Sequence, residues 1–346
     1  MKKVIITIFI LFTVIFGVSH CVKANNVSTE ILPTMETKSN AINQIWVGTF
    51  QIVWNEVMDN IVKAPIEFIS YKSIDANNLN KQEFKKINIS EKSYYTKYGT
   101  VSFSLKREIE KAIKKKFNEK SDILDSFNWQ KKTNNIFVYA MLKKDFKFIK
   151  AFDKLSKAPF GDNPTSVEYF GINSQSNKNL YDNVDVLFYN SNDDFAVKLN
   201  TKDNDKVILY RTNDNKTFKE YNKDIQAKSD KYKGSNIFSS EDTLTIPNID
   251  FYLQTSFVDV ENHPIKNSKF VINKTLETVD FTMNNEGVKL KSEAAIMMKL
   301  SALPPNKTRH FDFTDSFVLF LIEDNQNVPY FAIKVTDVEI LNQNKK

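Results

Sequence analysis

Hydrophobic periodicity changes once along this chain, and the change decides its fold class. In the first part the apolar residues recur at helical spacing. Trp46, Phe50, Val53, Trp54, Val57 and Ile61 form one face of an amphipathic helix that Pro65 closes, and Leu105, Ile109, Ala112, Ile113 and Phe117 form the face of a second. After Trp129 the pattern becomes that of strands. Residues 135–142 (NIFVYAML) read as a buried strand, and 184–189, 195–199 and 207–210 as short strands between Asn/Asp-rich turns. One later helix is expected over 217–231, then strands over 244–251 and 275–283. A C-terminal hairpin pairs 317–322 with 330–335 across a turn at 323–327. Helices first, strands later and no βαβ alternation predict an α+β fold with mostly antiparallel sheets. No internal repeat or domain boundary is visible. Residues 44–340 are expected to form a single domain, with 25–43 as a polar linker and 341–346 as a polar tail.

The chemistry open to such a chain is narrow. At 41% hydrophobic and 13% aromatic residues it is too apolar for disorder. Only 7 glycines in 346 residues leave no glycine-rich phosphate loop and no dinucleotide fingerprint. Of 48 basic residues against 42 acidic, Lys2, Lys3 and Lys23 fall in an N-terminal segment without acids; the dispersed remainder gives no argument for nucleic acid or an anionic membrane. The basic run of the second helix reads as a solvated face, because Glu108, Glu110 and Glu119 are interleaved with it. His263 and His310 lack neighbours at zinc-site spacing. The pairs Asp193–Asp194 and Glu323–Asp324 lie in expected turns, where acidic residues are ordinary. No catalytic residue, metal site or cofactor is expected, and the chain does not read as an enzyme.

The first 24 residues, MKKVIITIFILFTVIFGVSHCVKA, set two lysines before an apolar run from Val4 to Val18. That run is short for a bilayer span of roughly 20 residues and has the layout of a secretory signal peptide. Cleavage is expected before Asn25, which would remove Cys21, the single cysteine. The alternative is that Cys21 is a lipidated N-terminus following Val18-Ser19-His20. Either way the protein is expected to be secreted or extracytoplasmic, anchored to the envelope only if lipidated. Its mature domain would be stabilised without a disulfide.

One segment is written like a strand where a loop is expected. From Val288 on, Val288, Leu290, Ser292, Ala294, Ile296 and Met298 alternate with Lys289, Lys291, Glu293, Ala295, Met297 and Lys299. In order and spacing, the strand over 269–287 ending in Glu286-Gly287, this segment, and the closing hairpin 317–322/331–335 resemble the serpin family. Pro159-Phe160 with Thr165 and Phe170, and LTIPNIDF over 244–251, are similar to two further stretches of that family. The resemblance is carried by residues 135–340. It implies a serpin-like fold: N-terminal helices, then mostly antiparallel sheets with a reactive-centre-type loop. It implies a hinge at Glu286, Gly287, Val288, Leu290, Ser292 and Ala294, and a scissile bond near Leu300, Ser301 and Ala302. The function implied is a bait-loop inhibitor, from a low-GC bacterium by its Lys/Asn bias, whose loop is cut by a serine or cysteine protease and then inserts into the main sheet. The protease would be the partner of a monomeric protein that binds no nucleic acid. The alternative is a non-inhibitory serpin-fold binding or structural protein of the cell envelope.

Overall fold

The computed structural model describes residues 29–129, 135–289 and 308–341. The first part of the chain holds β1 (Thr29–Ile31), β2 (Asn43–Val47), α1 (Gly48–Glu56), α2 (Ile74–Leu79), β3 (Tyr94–Thr100) and α3 (Phe103–Phe117). Strands β4 (Ile136–Leu142), β5 (Phe146–Lys147), β6 (Asp153–Phe160), β7 (Asn163–Ile172), β8 (Val184–Ser191), β9 (Asp194–Leu199) and β10 (Lys206–Arg211) follow, then α4 (Phe218–Lys231). The remainder is β11 (Thr243–Pro247), β12 (Ile249–Thr255), β13 (Glu277–Asn284), β14 (Gly287–Lys289), β15 (His310–Asp312), β16 (Phe317–Ile322) and β17 (Phe331–Val335).

The C-terminal hairpin β16–β17 is the centre of a seven-stranded sheet ordered β1-β2-β17-β16-β10-β9-β8. Every residue of β16 and β17 is buried. This is why the segment reads as a continuous apolar run and not as an alternation: both of its faces are covered. Three smaller sheets have the orders β15-β11-β7-β6, β12-β13-β14-β5 and β3-β4. Pairing is antiparallel except for β1 with β2 and β11 with β15. The architecture is α+β with mostly antiparallel sheets, as the order of periodicities implies.

Several boundaries differ from the sequence reading. The expected linker at 25–43 contains β1 and buries Ile31, Leu32, Met35 and Ala41. Its polar composition conceals four positions that close the edge of the large sheet. The first helix is shorter than its apolar spacing suggests. Trp46 and Val47 belong to β2, paired with Ala332 and Phe331, and the helix begins at Gly48. After Glu56 it widens into a π-helical stretch, Val57–Val62, that ends at Lys63 with φ +60°. The segment LTIPNIDF is two strands in two different sheets, divided at Asn248. Pro159-Phe160 and Thr165 to Phe170 lie on opposite arms of the β6–β7 hairpin.

The antiparallel pair β3–β4, joined through α3, separates two cores. Helix α3 is capped by Ser102, whose Oγ accepts the Leu105 N–H at 3.2 Å, and ends at Asn118 in the left-handed region. Its apolar face, Leu105, Ile109 and Ile113, packs with Leu124, Trp129, Phe137 and Tyr139 in a small core of its own. Ala140 and, partly buried, Leu142 pack instead into the main core with Phe50 and Trp54 of α1. A strand whose alternate residues serve two cores must be apolar throughout, as 135–142 is.

Candidate functional site

Strand β13 turns back on itself through Asn285-Glu286, with Asn284 facing Gly287, Met283 facing Val288 and Thr282 facing Lys289. The returning strand β14 is also paired on its far edge, Gly287 with Lys147 and Val288 with Phe146 of β5. The turn is fixed from three directions. The Phe148 N–H donates to the Glu286 carbonyl at 3.1 Å and the Phe152 N–H to that of Asn285 at 2.8 Å. The Glu286 N–H donates to the Asn284 side chain at 2.9 Å. At Gly287 a Cβ would lie 2.4 Å from the Phe146 carbonyl oxygen and 2.6 Å from the Lys147 Cα, so the approach of β5 requires glycine. Val288 is fully buried and Lys289 exposed, which puts the even-numbered positions on the core side.

Among the described residues, β4 is paired with β3 along one edge and, below Thr282, β13 is paired with β12 along one edge, so the other edges of these two strands face the space between them. The result is a cleft of about 1370 Å³, walled by Ile136, Val138 and Ala140 on one side and Thr278 and Asp280 on the other, with Phe50, Val53 and Trp54 of α1 beneath. A strand edge carries unpaired N–H and C=O groups, and two such edges are matched by one more peptide strand.

At the base of the cleft stands Glu277, buried on the same side of β13 as Val279, Phe281 and Met283. Its Oε1 accepts the Phe50 N–H at the first turn of α1 (3.0 Å), and its Oε2 has no hydrogen-bond partner among the described residues. Burial pushes this carboxyl up to about 8, with the Phe50 N–H pulling weakly the other way. At the upper end Lys144 is buried between two carboxylates, Asp205 at 3.0 Å and Glu323, and lies over the Tyr330 ring. Burial pushes Asp205 up to about 6 against the pull of Lys144. Arg309 anchors the chain where it re-enters the described residues. It bonds Asp242 at 2.7 Å and donates to the carbonyls of Ser235 and Ile237, each at 2.7 Å.

Of the hinge residues named from sequence, Glu286 is exposed in the turn, while Gly287 and Val288 lie in β14 between β13 and β5. Leu290, Ser292 and Ala294, the scissile-bond residues Leu300, Ser301 and Ala302, and Cys21 lie outside the described residues. Sequence reasoning missed Glu277, Lys144 and Arg309. For Glu277 a signal exists: a carboxylate in phase with the apolar positions of an alternating strand. Among the described residues no group of His, Cys, Asp and Glu is arranged to hold a metal ion, and no helix is long and apolar enough to cross a membrane. His263 stacks on Tyr71 with ring centroids 3.7 Å apart, and His310 Nδ1 is 3.0 Å from Thr243 Oγ1.

No protein-family model and no curated protein matches the sequence. Solved structures do. Maspin superposes with a TM-score of 0.51 at 11% identity, over 85% of this chain and 92% of maspin. Serpin48 of the insect Tenebrio molitor gives a TM-score of 0.40 at 12% identity, over 85% of this chain and 74% of Serpin48. A tumour suppressing serpin gives 0.45 at 13% identity, over 69% of this chain and 67% of that one. At these identities the likeness is one of fold, and the chain has the serpin fold.

Proposed function

We propose that the protein is a bait-loop inhibitor of a serine or cysteine protease, exported from the cytoplasm, whose residues beyond Lys289 are cut and then enter the cleft as a strand. The observation that supports this reading is register. Because Lys289 faces Thr282, continuing β14 brings Leu290 opposite Phe281, Ser292 opposite Val279 and Ala294 opposite Glu277. Because Val288 faces Phe146, the same continuation brings Leu290 beside Lys144 and Ala294 beside Ala140 of β4. One strand thus meets both open edges, and the alternation in the sequence turns its less polar side to α1. In this reading the partner supplies the catalysis, and the loop, with its scissile bond near Leu300, Ser301 and Ala302, is bait.

A second reading, a non-inhibitory serpin-fold protein of the envelope, is favoured by the bulk of Val288, Lys289, Leu290 and Lys291. Large side chains slow the threading of a strand into a packed sheet.

Mild proteolysis of residues 25–346 separates the two. Cutting between Lys299 and Leu303 with a large rise in melting temperature is expected for an inhibitor, because an added central strand pairs both edges and fills the cleft. Cutting there without a rise leaves the non-inhibitory reading. No cutting there at all overturns the assignment of the loop.

A further inference from the structure

Among the described residues, the outward face of α3 carries cations that no carboxylate pairs. Arg107, Lys111, Lys114 and Lys115 are exposed, and none forms an ion pair among the described residues. The acids interleaved with them in sequence are engaged elsewhere: Glu108 with Lys97 of β3, Glu110 with Lys106 at 3.5 Å, and Glu119 with Lys143. Lys116 points away from the row and donates to the Glu91 carbonyl at 2.6 Å. Of these acids, Glu108 and Glu119 are drawn off the helix by the fold, while Glu110 pairs along it with Lys106.

Helical geometry gathers the four cations. At 3.6 residues per turn, positions 107, 111, 114 and 115 fall in one sector of about 100°, opposite the buried Leu105, Ile109 and Ile113, and extend along ~12 Å of the axis. Phe103, one turn before Arg107, stands at the edge of the same sector with 48% of its surface exposed. An apolar ring beside a row of unpaired cations is the composition of a helix that lies in a membrane interface. The ring enters the headgroup boundary, and the long Lys and Arg stems extend their charges to the phosphates. A soluble phosphate or sulfate polymer would use the cations and leave the ring in water.

We propose that this face of α3 docks the protein on an anionic lipid surface, through Arg107, Lys111, Lys114, Lys115 and the ring of Phe103. The surface lies on the far side of the β3–β4 pair from α1. It does not depend on the loop reading.

The test is co-sedimentation of the full chain with vesicles of phosphatidylcholine alone or mixed with phosphatidylglycerol. The apolar N-terminal run contributes to both, so the readout is the preference for the anionic vesicle. Each interfacial cation is worth about a factor of five, so Lys111→Glu/Lys114→Glu/Lys115→Glu should lower that preference about a hundredfold or more. The milder Arg107→Gln/Lys111→Gln should lower it roughly twenty-fivefold, which keeps the test decisive if the charge reversal does not fold. Phe103→Ser should weaken vesicle binding and leave binding to dextran sulfate unchanged. Variants that keep the wild-type preference would overturn the proposal. So would Phe103→Ser binding vesicles as wild type does, which would assign the row to a soluble polyanion.

Discussion

Glu277 Oε1 holds the Phe50 N–H at 3.0 Å, joining the start of α1 to the lowest residue of β13 at the base of the cleft. The contact is favourable in itself, yet the carboxyl is buried with its second oxygen unpartnered among the described residues, and burial raises it from 4.5 to about 8. The sign follows from linkage. An acid whose folded value is raised costs nothing where both states are protonated. It costs progressively more as pH rises from about 4.5 towards 8, because only the unfolded chain ionises. At pH 7 the cost is about 3 kcal/mol. Denaturant titrations should therefore show wild type gaining stability from pH 7 to pH 5. Glu277→Gln keeps an acceptor for Phe50, and its curve should be flatter and higher at pH 7. Equal slopes for the two proteins would mean that Glu277 is ionised in the folded state.

Lys144 presents a different balance, since its charge is paired. Its ammonium lies 3.0 and 3.1 Å from the two Asp205 oxygens and also bonds Glu323, tying the start of the β4–β5 connection to two turns of the large sheet. Lys144→Met would leave two carboxylates facing each other in a buried place, a loss of about 3–5 kcal/mol. The loss should shrink as pH falls, because Asp205 already stands at about 6 beside its cation and will rise further without it. Lys144→Met/Asp205→Asn/Glu323→Gln should recover most of the stability. If the triple variant melts no higher than the single one, the cost lies in packing and not in charge.

How much of this was legible in sequence depended on whether a residue's environment is set locally. The α+β class followed from the order of the two periodicities, and β16–β17 from runs so apolar that only a doubly covered strand could hold them. β3 was invisible because its residues, Tyr94 to Thr100, are half-exposed or exposed and show no alternation. The cleft was invisible because its walls, β4 and β13, are far apart in the chain, and only tertiary pairing sets β14 between β13 and β5. Glu277 was written in the sequence but in a form pattern-reading discards, as a charged residue at an apolar position.

Gly171 tests how tightly the sheets are joined. Its φ is +155°, and a Cβ would fall 1.8 Å from the Leu244 carbonyl oxygen across the β7–β11 ladder. No side-chain rotation relieves a clash with backbone. Gly171→Ala should therefore shift β11 off β7 and cost several kcal/mol, where alanine at an unstrained strand glycine would instead gain up to about 1 kcal/mol. Hydrogen exchange should show the loss of protection first at residues 244–247 and 169–172. Uniform loss across the protein would mean that the two strands do not open separately.

The insertion reading makes its sharpest demand at Leu290. In that reading, continuing the register of β14 would set it opposite Phe281 and beside Lys144, on the side of the sheet where Val288 and Met283 are fully buried. Leu290→Arg should leave the uncut protein near wild-type stability, since in this reading the residue enters the sheet only after cleavage. After cleavage it would bury a guanidinium beside the Lys144 ammonium, at a cost of several kcal/mol. Cut wild type should then gain melting temperature where cut Leu290→Arg gains little. Lys291→Arg, one position on and on the solvent side, should gain as fully as wild type. Equal gains for all three would mean that the strand enters in the opposite phase or does not enter at all, and the inward assignment of the even-numbered residues would fall.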